Sequence, residues 1–272
     1  MEIAYRYIKQ LLRGAGQVMF MENALTGFLF LTGIFVGSYS CGTPAVAWGA
    51  LVGLLSANIA GQVIYRNGGE SGLWGFNGIL VGCALPTLFE PTPGVWAAVI
   101  ILSALTVILS HRISLTAPFI LMTWLAFAFR FAPAETILQP HSLPEAWLCG
   151  ISEVFLVCSP WCGLLFLAGL AVGDIKAAVW CAIGSAAGMA LAYIFGFPEA
   201  DISAGLYGFN PALTGIAIGA VYKRNVAVTA AAIIATFFIQ LGLSIFLPPF
   251  TAPFCLATWG TELLCKRLGR TA

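Results

Sequence analysis

A chain of 272 residues in which 60% are hydrophobic and only 8% charged has too few polar side chains to cover a water-facing globule, where about a quarter of residues carry charge. This excludes a soluble domain, and the net charge of +1 with scattered basic residues excludes nucleic acid as a partner. At roughly 20 residues per crossing the length allows about ten membrane spans, so the expected class is an all-α polytopic membrane protein.

In chain order, residues 1–13 form an amphipathic segment carrying Arg6, Lys9 and Arg13. They lack a short apolar run ending in a small-residue cleavage site, so this segment is expected to remain at the cytoplasmic surface. Apolar runs then predict helices over 17–37 and 44–65, a glycine-rich interrupted segment over 68–90, and helices over 94–110 and 115–129. The second half reads the same way, with runs over 149–173 and 175–195, an interrupted segment over 204–222, and runs over 226–247 and 251–264.

The two halves share motifs as well as spacing. Gly72-Leu73-Trp74-Gly75-Phe76-Asn77 returns 133 positions later as Gly205-Leu206-Tyr207-Gly208-Phe209-Asn210. Thr116-Ala117-Pro118-Phe119, with Thr123-Trp124 behind it, returns 135 positions later as Thr251-Ala252-Pro253-Phe254 and Thr258-Trp259. Gln17-Val18 stands 136 positions before Glu153-Val154. The chain therefore divides into a first repeat half, 1–136, and a second, 137–272, with five crossings each. Placing short loops alternately inside and outside puts 11 of the 12 basic residues in the cytoplasm and only Arg130 outside, in accord with the positive-inside rule. Both termini are then cytoplasmic, and an odd number of spans per half inverts the second half relative to the first.

In inverted-repeat transporters the solute site lies near the midplane, where discontinuous helices from the two halves meet. The interrupted segments qualify, with Gly68, Gly69, Gly72, Gly75, Gly78 and Gly82 in one and Gly205, Gly208, Gly215 and Gly219 in the other. Glycine breaks free backbone carbonyls, which hydrocarbon tolerates only beside protein or a wet cavity; close helix packing is the competing explanation.

Glu153, near the start of an apolar run, is the sharpest candidate for the pathway, because a carboxylate there is costly unless it faces a cavity or partner. Its counterpart Gln17 is neutral, and one Glu with one Gln suits hydrogen bonding of a neutral solute through an acceptor oxygen on each. Phe20, three residues beyond Gln17, is expected on the same face of one helix, and Val154 adjoins Glu153. Phe76 and Leu80 match Phe209 and Leu213 at a helical spacing of four, so opposed copies would form a slot for a planar molecule. Thr116 and Thr251 each precede a proline by two positions, where a hydroxyl either caps the helix or faces the pore. Glu22, about 140° from Gln17 on a continuous helix, is expected to be structural or to meet another subunit. The eight cysteines read as small apolar residues, and His111 and His141 show no metal-ligand spacing. No cofactor or metal is expected. The absence of His-Glu-x-x-His, Gly-x-Ser-x-Gly and paired intramembrane aspartates argues against an intramembrane enzyme.

Leu247-Pro248-Pro249-Phe250-Thr251-Ala252-Pro253-Phe254 resembles the Leu-Pro-x-x-Thr-x-Pro-Phe signature of the urea transporter family, and the duplicated Gly-Leu-(Trp/Tyr)-Gly-Phe-Asn agrees with it. The resemblance spans about residues 17–266. It implies two five-helix halves, each with a re-entrant half-helix, a pore between the halves, a homotrimer in the cell inner membrane surrounded by lipid, and passive, channel-like passage of urea. Carried over residue by residue, it places Gln17 and Glu153 at two amide-binding sites, Phe20, Phe76, Leu80, Val154, Phe209 and Leu213 along the slot, and Thr116 and Thr251 at the constriction. Ile113-Ser114-Leu115-Thr116 lacks the Leu-Pro of the signature, and Ala24 stands where the second half has Pro160; both departures concern the local bend of a helix. A channel for other small amides or ammonia, and a proton-coupled urea carrier, are the alternatives.

Overall fold

The structure, a computed structural model, describes residues 2–65, 69–135 and 141–269. Arg66, Gly68 and Arg270, used above in the charge and glycine arguments, lie outside the described residues. The order is α1 Glu2–Gln17, α2 Ala24–Ser40, α3 Pro44–Tyr65, α4 Phe76–Leu88, α5 Pro93–Ser110, α6 Ala117–Phe127 and α7 Leu143–Ser152. A 3₁₀ turn, Glu153–Phe155, follows, then α8 Pro160–Gly173, α9 Ile175–Ile194, α10 Glu199–Ser203 and α11 Phe209–Gly215. The chain continues as a π-helical turn, Ile216–Val221, then α12 Val226–Ser244 and α13 Ala252–Arg267.

Helices α3, α5, α9 and α12, with 22, 18, 20 and 19 residues, are each long and apolar enough to cross a hydrocarbon layer of about 30 Å. Polar residues set the starts of three of them. Thr92 accepts from the Val95 amide at 3.4 Å, Asp174 from Lys176 at 2.8 Å and Asn225 from Val228 at 2.9 Å. Each occupies the cap position, where a side-chain oxygen satisfies an amide that has no partner within the helix. Val63, Ile194, Ile245 and Phe246 are exposed, like many other large apolar side chains over the molecule. An apolar exterior of this extent belongs in lipid rather than water, and the chain is an all-α polytopic membrane protein.

Two expected spans are divided. The run 17–37 breaks after Gln17, turns through 18–23 and restarts at Ala24, where Asn23 caps α2 by accepting from Leu25 at 2.8 Å and Thr26 at 3.2 Å. The run 149–173 breaks over 153–159, and α7 with its 3₁₀ turn meets α8 at 73°. The breaks fall at Phe20, φ 66°, and Leu156, φ 56°, bulky residues in the left-handed region that end a helix as a glycine would. No Gly or Pro marks either residue, so the apolar runs read as continuous. Gln17 and Phe20 therefore do not share one helix. Glu22 lies outside any helix, exposed, and pairs with Arg13 at 3.4 Å.

The glycine-rich segment also differs from expectation. Its irregular part ends at Gly75, and α4 is continuous from Phe76. A Cβ on Gly53 or Gly82 would overlap the carbonyl oxygen of Gly78 or Gly49 respectively. The Gly78 carbonyl accepts from Ser103 Oγ at 3.1 Å. Gly78 and Gly82 thus serve close approach of α3 and α4 rather than a row of free carbonyls.

Candidate functional site

The site is built on two helix starts. Asn77, near the start of α4, donates to the Leu115 carbonyl at 3.3 Å and accepts from the Phe119 amide at 3.2 Å. Asn210, near the start of α11, donates to the Phe250 carbonyl at 2.8 Å and accepts from the Phe254 amide at 3.3 Å. Each asparagine is fully buried and fastens the turn that leads into α6 or α13. Reciprocal bonds join these elements: Trp124 Nε1 of α6 donates to the Pro248 carbonyl at 2.9 Å, and Trp259 Nε1 of α13 donates to Ser114 Oγ at 3.0 Å.

Thr116 and Thr251, at the starts of α6 and α13, make no side-chain cap. Their hydroxyls bond to each other at 2.7 Å, and Thr116 Oγ1 also lies 3.3 Å from Cys255 Sγ. The structure therefore excludes the capping role. It brings together two residues 135 positions apart.

Beside Thr251 opens a cavity of about 370 Å³, within the size range of small-molecule sites. Of the residues expected from sequence, Glu153, Val154, Phe209 and Thr251 line it. Gln17, Phe20 and Phe76 lie outside it, half-buried. Gln17 Nε2 donates to the Ser71 carbonyl at 3.0 Å, and its amide oxygen has no hydrogen-bond partner among the described residues. The Phe20 ring meets Phe254 edge-on with centroids 6.0 Å apart. Leu80 and Leu213 are fully buried and do not reach the cavity.

Phe119, Leu156, Leu206, Pro248, Pro249 and Phe250 add to the apolar wall; Phe119 and Phe250 meet edge-to-face at 5.8 Å. Both sit in motifs already singled out, but alternation along the chain does not reveal which motif residue faces inward. Among the polar lining residues, Gln240 is used at both ends: its Nε2 donates to the Leu206 carbonyl at 2.7 Å and its Oε1 accepts from Asn210 at 3.0 Å. The Glu153 carboxylate, by contrast, has no hydrogen-bond partner among the described residues. It is the acceptor that faces the cavity with its capacity unspent.

Three side chains assigned no chemistry from sequence stand close by. The ligand atoms of His141, Cys149 and Cys158 all lie within 4.8 Å of one another. Cys41, in the loop after α2, donates its thiol to the Cys158 carbonyl at 3.1 Å. Burial pushes the Cys41 thiol up from its ordinary value, partly offset by the Ser40 hydroxyl, which keeps it protonated as a donor at neutral pH.

Fold and site together define a membrane transport protein, with apolar spans around a mostly apolar cavity that holds a few polar groups, and broken helices beside it. The family model for urea transporters matches residues 8–265, and the chain belongs to that family. It is 26% identical over 299 residues to urea transporter 1 of Rattus norvegicus and 28% identical over 295 residues to urea transporter 1 of Ovis aries. Each alignment covers 94% of this chain and 76% of the relative.

Proposed function

We propose that the chain conducts urea passively across the cytoplasmic membrane, through a narrow path between two halves, 1–136 and 137–272, related by inversion. Both termini are placed in the cytoplasm and the assembly is a homotrimer with one path per chain. The observation that carries the reading is the Thr116–Thr251 bond at 2.7 Å. It joins two copies of one motif, and Thr251 shares a cavity with the unspent Glu153 carboxylate; the inverted relation would put the Gln17 amide on the far side of the pair. Paired left-handed backbone at Phe20 and Leu156, at Leu115 and Phe250, and at Gly72 and Gly205 supports the relation between halves.

The chemistry follows from the solute. Urea is planar and neutral and carries four N–H donors, so entry costs its hydration unless acceptors replace water. Glu153 and Gln17 each offer an acceptor oxygen near one end of the path. Phe20 and Phe76 on one side, and Val154 and Phe209 on the other, pack against its faces, with Leu80 and Leu213 behind them in the packed interior. The threonine hydroxyls, donor and acceptor in one group, bridge the two ends by exchanging their mutual bond for bonds to urea. An ion loses more hydration than such a slot returns.

Stopped-flow light scattering of proteoliposomes in a urea gradient tests the reading, with and without a proton gradient. The expected result is urea permeability above empty liposomes and independent of the proton gradient. Absence of that permeability overturns the function. Equal rates in acetamide point instead to a general amide channel, and gradient-driven accumulation to a coupled carrier.

A further inference from the structure

His141 precedes α7, Cys149 lies in its last turn and Cys158 sits in the irregular break before α8. Sequence spacing hides their proximity because the 73° bend folds Cys158 back toward α7. The backbone of His141 is fixed by Ser203 of α10, whose Oγ accepts from the His141 amide at 2.5 Å and donates to its carbonyl at 3.3 Å. Cys149 is fully buried, while His141 and Cys158 are half-buried. The His141 Nε2 atom is buried without a hydrogen-bond partner among the described residues, a vacancy that ordinarily costs free energy.

From these observations we infer that His141, Cys149 and Cys158 form a site for a thiophilic d¹⁰ divalent cation of the Zn²⁺ or Cd²⁺ kind, and that such a cation slows passage along the adjoining path. Two thiolates and an imidazole are the donors such ions prefer, whereas Mg²⁺ and Ca²⁺ require oxygens. With Zn–S at about 2.3 Å and Zn–N at about 2.0 Å, a tetrahedral ion holds its ligand atoms about 3.5–3.8 Å apart. The present separations, within 4.8 Å, close by about 1 Å, a distance side-chain rotation supplies. Binding expels the two thiol protons, so the divalent ion and two thiolates add no net charge, and it ties Cys149 to Cys158 across the segment that carries Glu153, Val154 and Leu156. The acceptor in the cavity is then pinned by the cross-link rather than free to turn toward the solute. The site itself stands independently of the transport reading; its effect on flux rests on that reading.

The test uses the purified full chain in detergent with its thiols reduced. Titration with CdCl₂ is expected to develop the ultraviolet thiolate-to-cadmium charge-transfer band and to saturate at one ion per chain. Cys158→Ser and His141→Ala each weaken binding by at least about ten-fold, whereas Cys181→Ala, in α9, leaves it unchanged. Lack of the band in the unaltered chain, or binding by Cys158→Ser and His141→Ala as tight as by the unaltered chain, overturns the site. In proteoliposomes, Zn²⁺ is expected to lower urea flux several-fold, reversibly with a chelator, and to have no effect on His141→Ala. Binding with undiminished flux overturns the coupling. A chain that binds Cd²⁺ but never conducts urea overturns the transport reading and leaves the metal site standing.

Discussion

Replacing Asn210 by Ala removes three hydrogen bonds in one buried place: those to the Phe250 carbonyl, from the Phe254 amide and to Gln240 Oε1, at 2.8, 3.3 and 3.0 Å. With a net value of about 1 kcal/mol per bond the loss is about 3 kcal/mol. The membrane-protein average of about 0.6 kcal/mol per side-chain bond lowers it to about 2. Complete burial argues for the upper figure, because no water replaces the missing partner and the orphaned groups carry their desolvation cost. Asn77→Ala removes an equivalent set, to Ser110 Oγ, the Leu115 carbonyl and the Phe119 amide. The two variants are therefore expected to cost about the same, 2–3 kcal/mol each, in reversible unfolding by sodium dodecyl sulfate monitored through tryptophan fluorescence. Both should also lower urea flux, since each lets one threonine turn drift. A loss below about 0.5 kcal/mol for either, or full flux with the stability loss present, would refute the claim that these asparagines hold the site in shape.

Glu153→Ala deletes the free acceptor and is expected to reduce urea flux about ten- to a hundred-fold, the kinetic equivalent of about 1.5–3 kcal/mol for a charged hydrogen bond, at equal incorporation into liposomes. Glu153→Gln retains an acceptor oxygen like that of Gln17 and should keep most of the flux; equal loss in the two variants would show that charge, not hydrogen bonding, is required. A double-mutant cycle of Thr116→Val and Thr251→Val should give a stability coupling of about 1 kcal/mol, and additive effects would place the two hydroxyls out of contact. Gly53→Ala forces α3 from α4 and is expected to cost about 1–3 kcal/mol. Gly242→Ala, in α12 with open space around it, should instead stabilise by up to about 1 kcal/mol, and a reversed order in detergent unfolding would contradict the packing described.

Much of the architecture was legible because membrane spans announce themselves. The bounds 44–65 match α3, and 94–110, 175–195 and 226–247 differ from α5, α9 and α12 by at most three residues. Three residues at the starts of these helices, Thr92, Asp174 and Asn225, are ordinary capping types. The breaks at 18–23 and 153–159 were not legible, since they depend on left-handed Phe20 and Leu156 rather than on Gly or Pro. The candidate site shared that fate. Glu153 stood out because a carboxylate in an apolar run needs a reason, and it does line the cavity. Leu80 and Leu213 satisfied the same helical spacing as Phe76 and Phe209 but turn into packed interior, because spacing defines a face without saying what that face meets. The cysteines next to Glu153 became a cluster only once the 73° bend had brought Cys158 toward Cys149.

Where the backbone is strained also bears on what the site is for. Phe20, Leu156, Leu115 and Phe250 all adopt positive φ, at 66°, 56°, 61° and 43°, and for side chains of this size the left-handed region costs about 1–2 kcal/mol per residue. Glycine would relieve all four at once. Each, however, stands beside a polar residue of the proposed path: Phe20 follows Gln17 by three positions and Leu156 follows Glu153 by three, while Leu115 and Phe250 directly precede Thr116 and Thr251. Glycine at these places would preserve the turn but remove apolar wall beside the acceptors and hydroxyls, including the Phe20 contact with Phe254 and the Phe250 contact with Phe119. Such edge-to-face pairs are worth about 0.5–1.5 kcal/mol beyond the area they bury, enough to offset much of the strain at those two residues. The fold thus tolerates a conformational cost where polar group and apolar wall must be adjacent, the arrangement a slot needs if it is to hold a planar hydrogen-bonding solute without admitting its water.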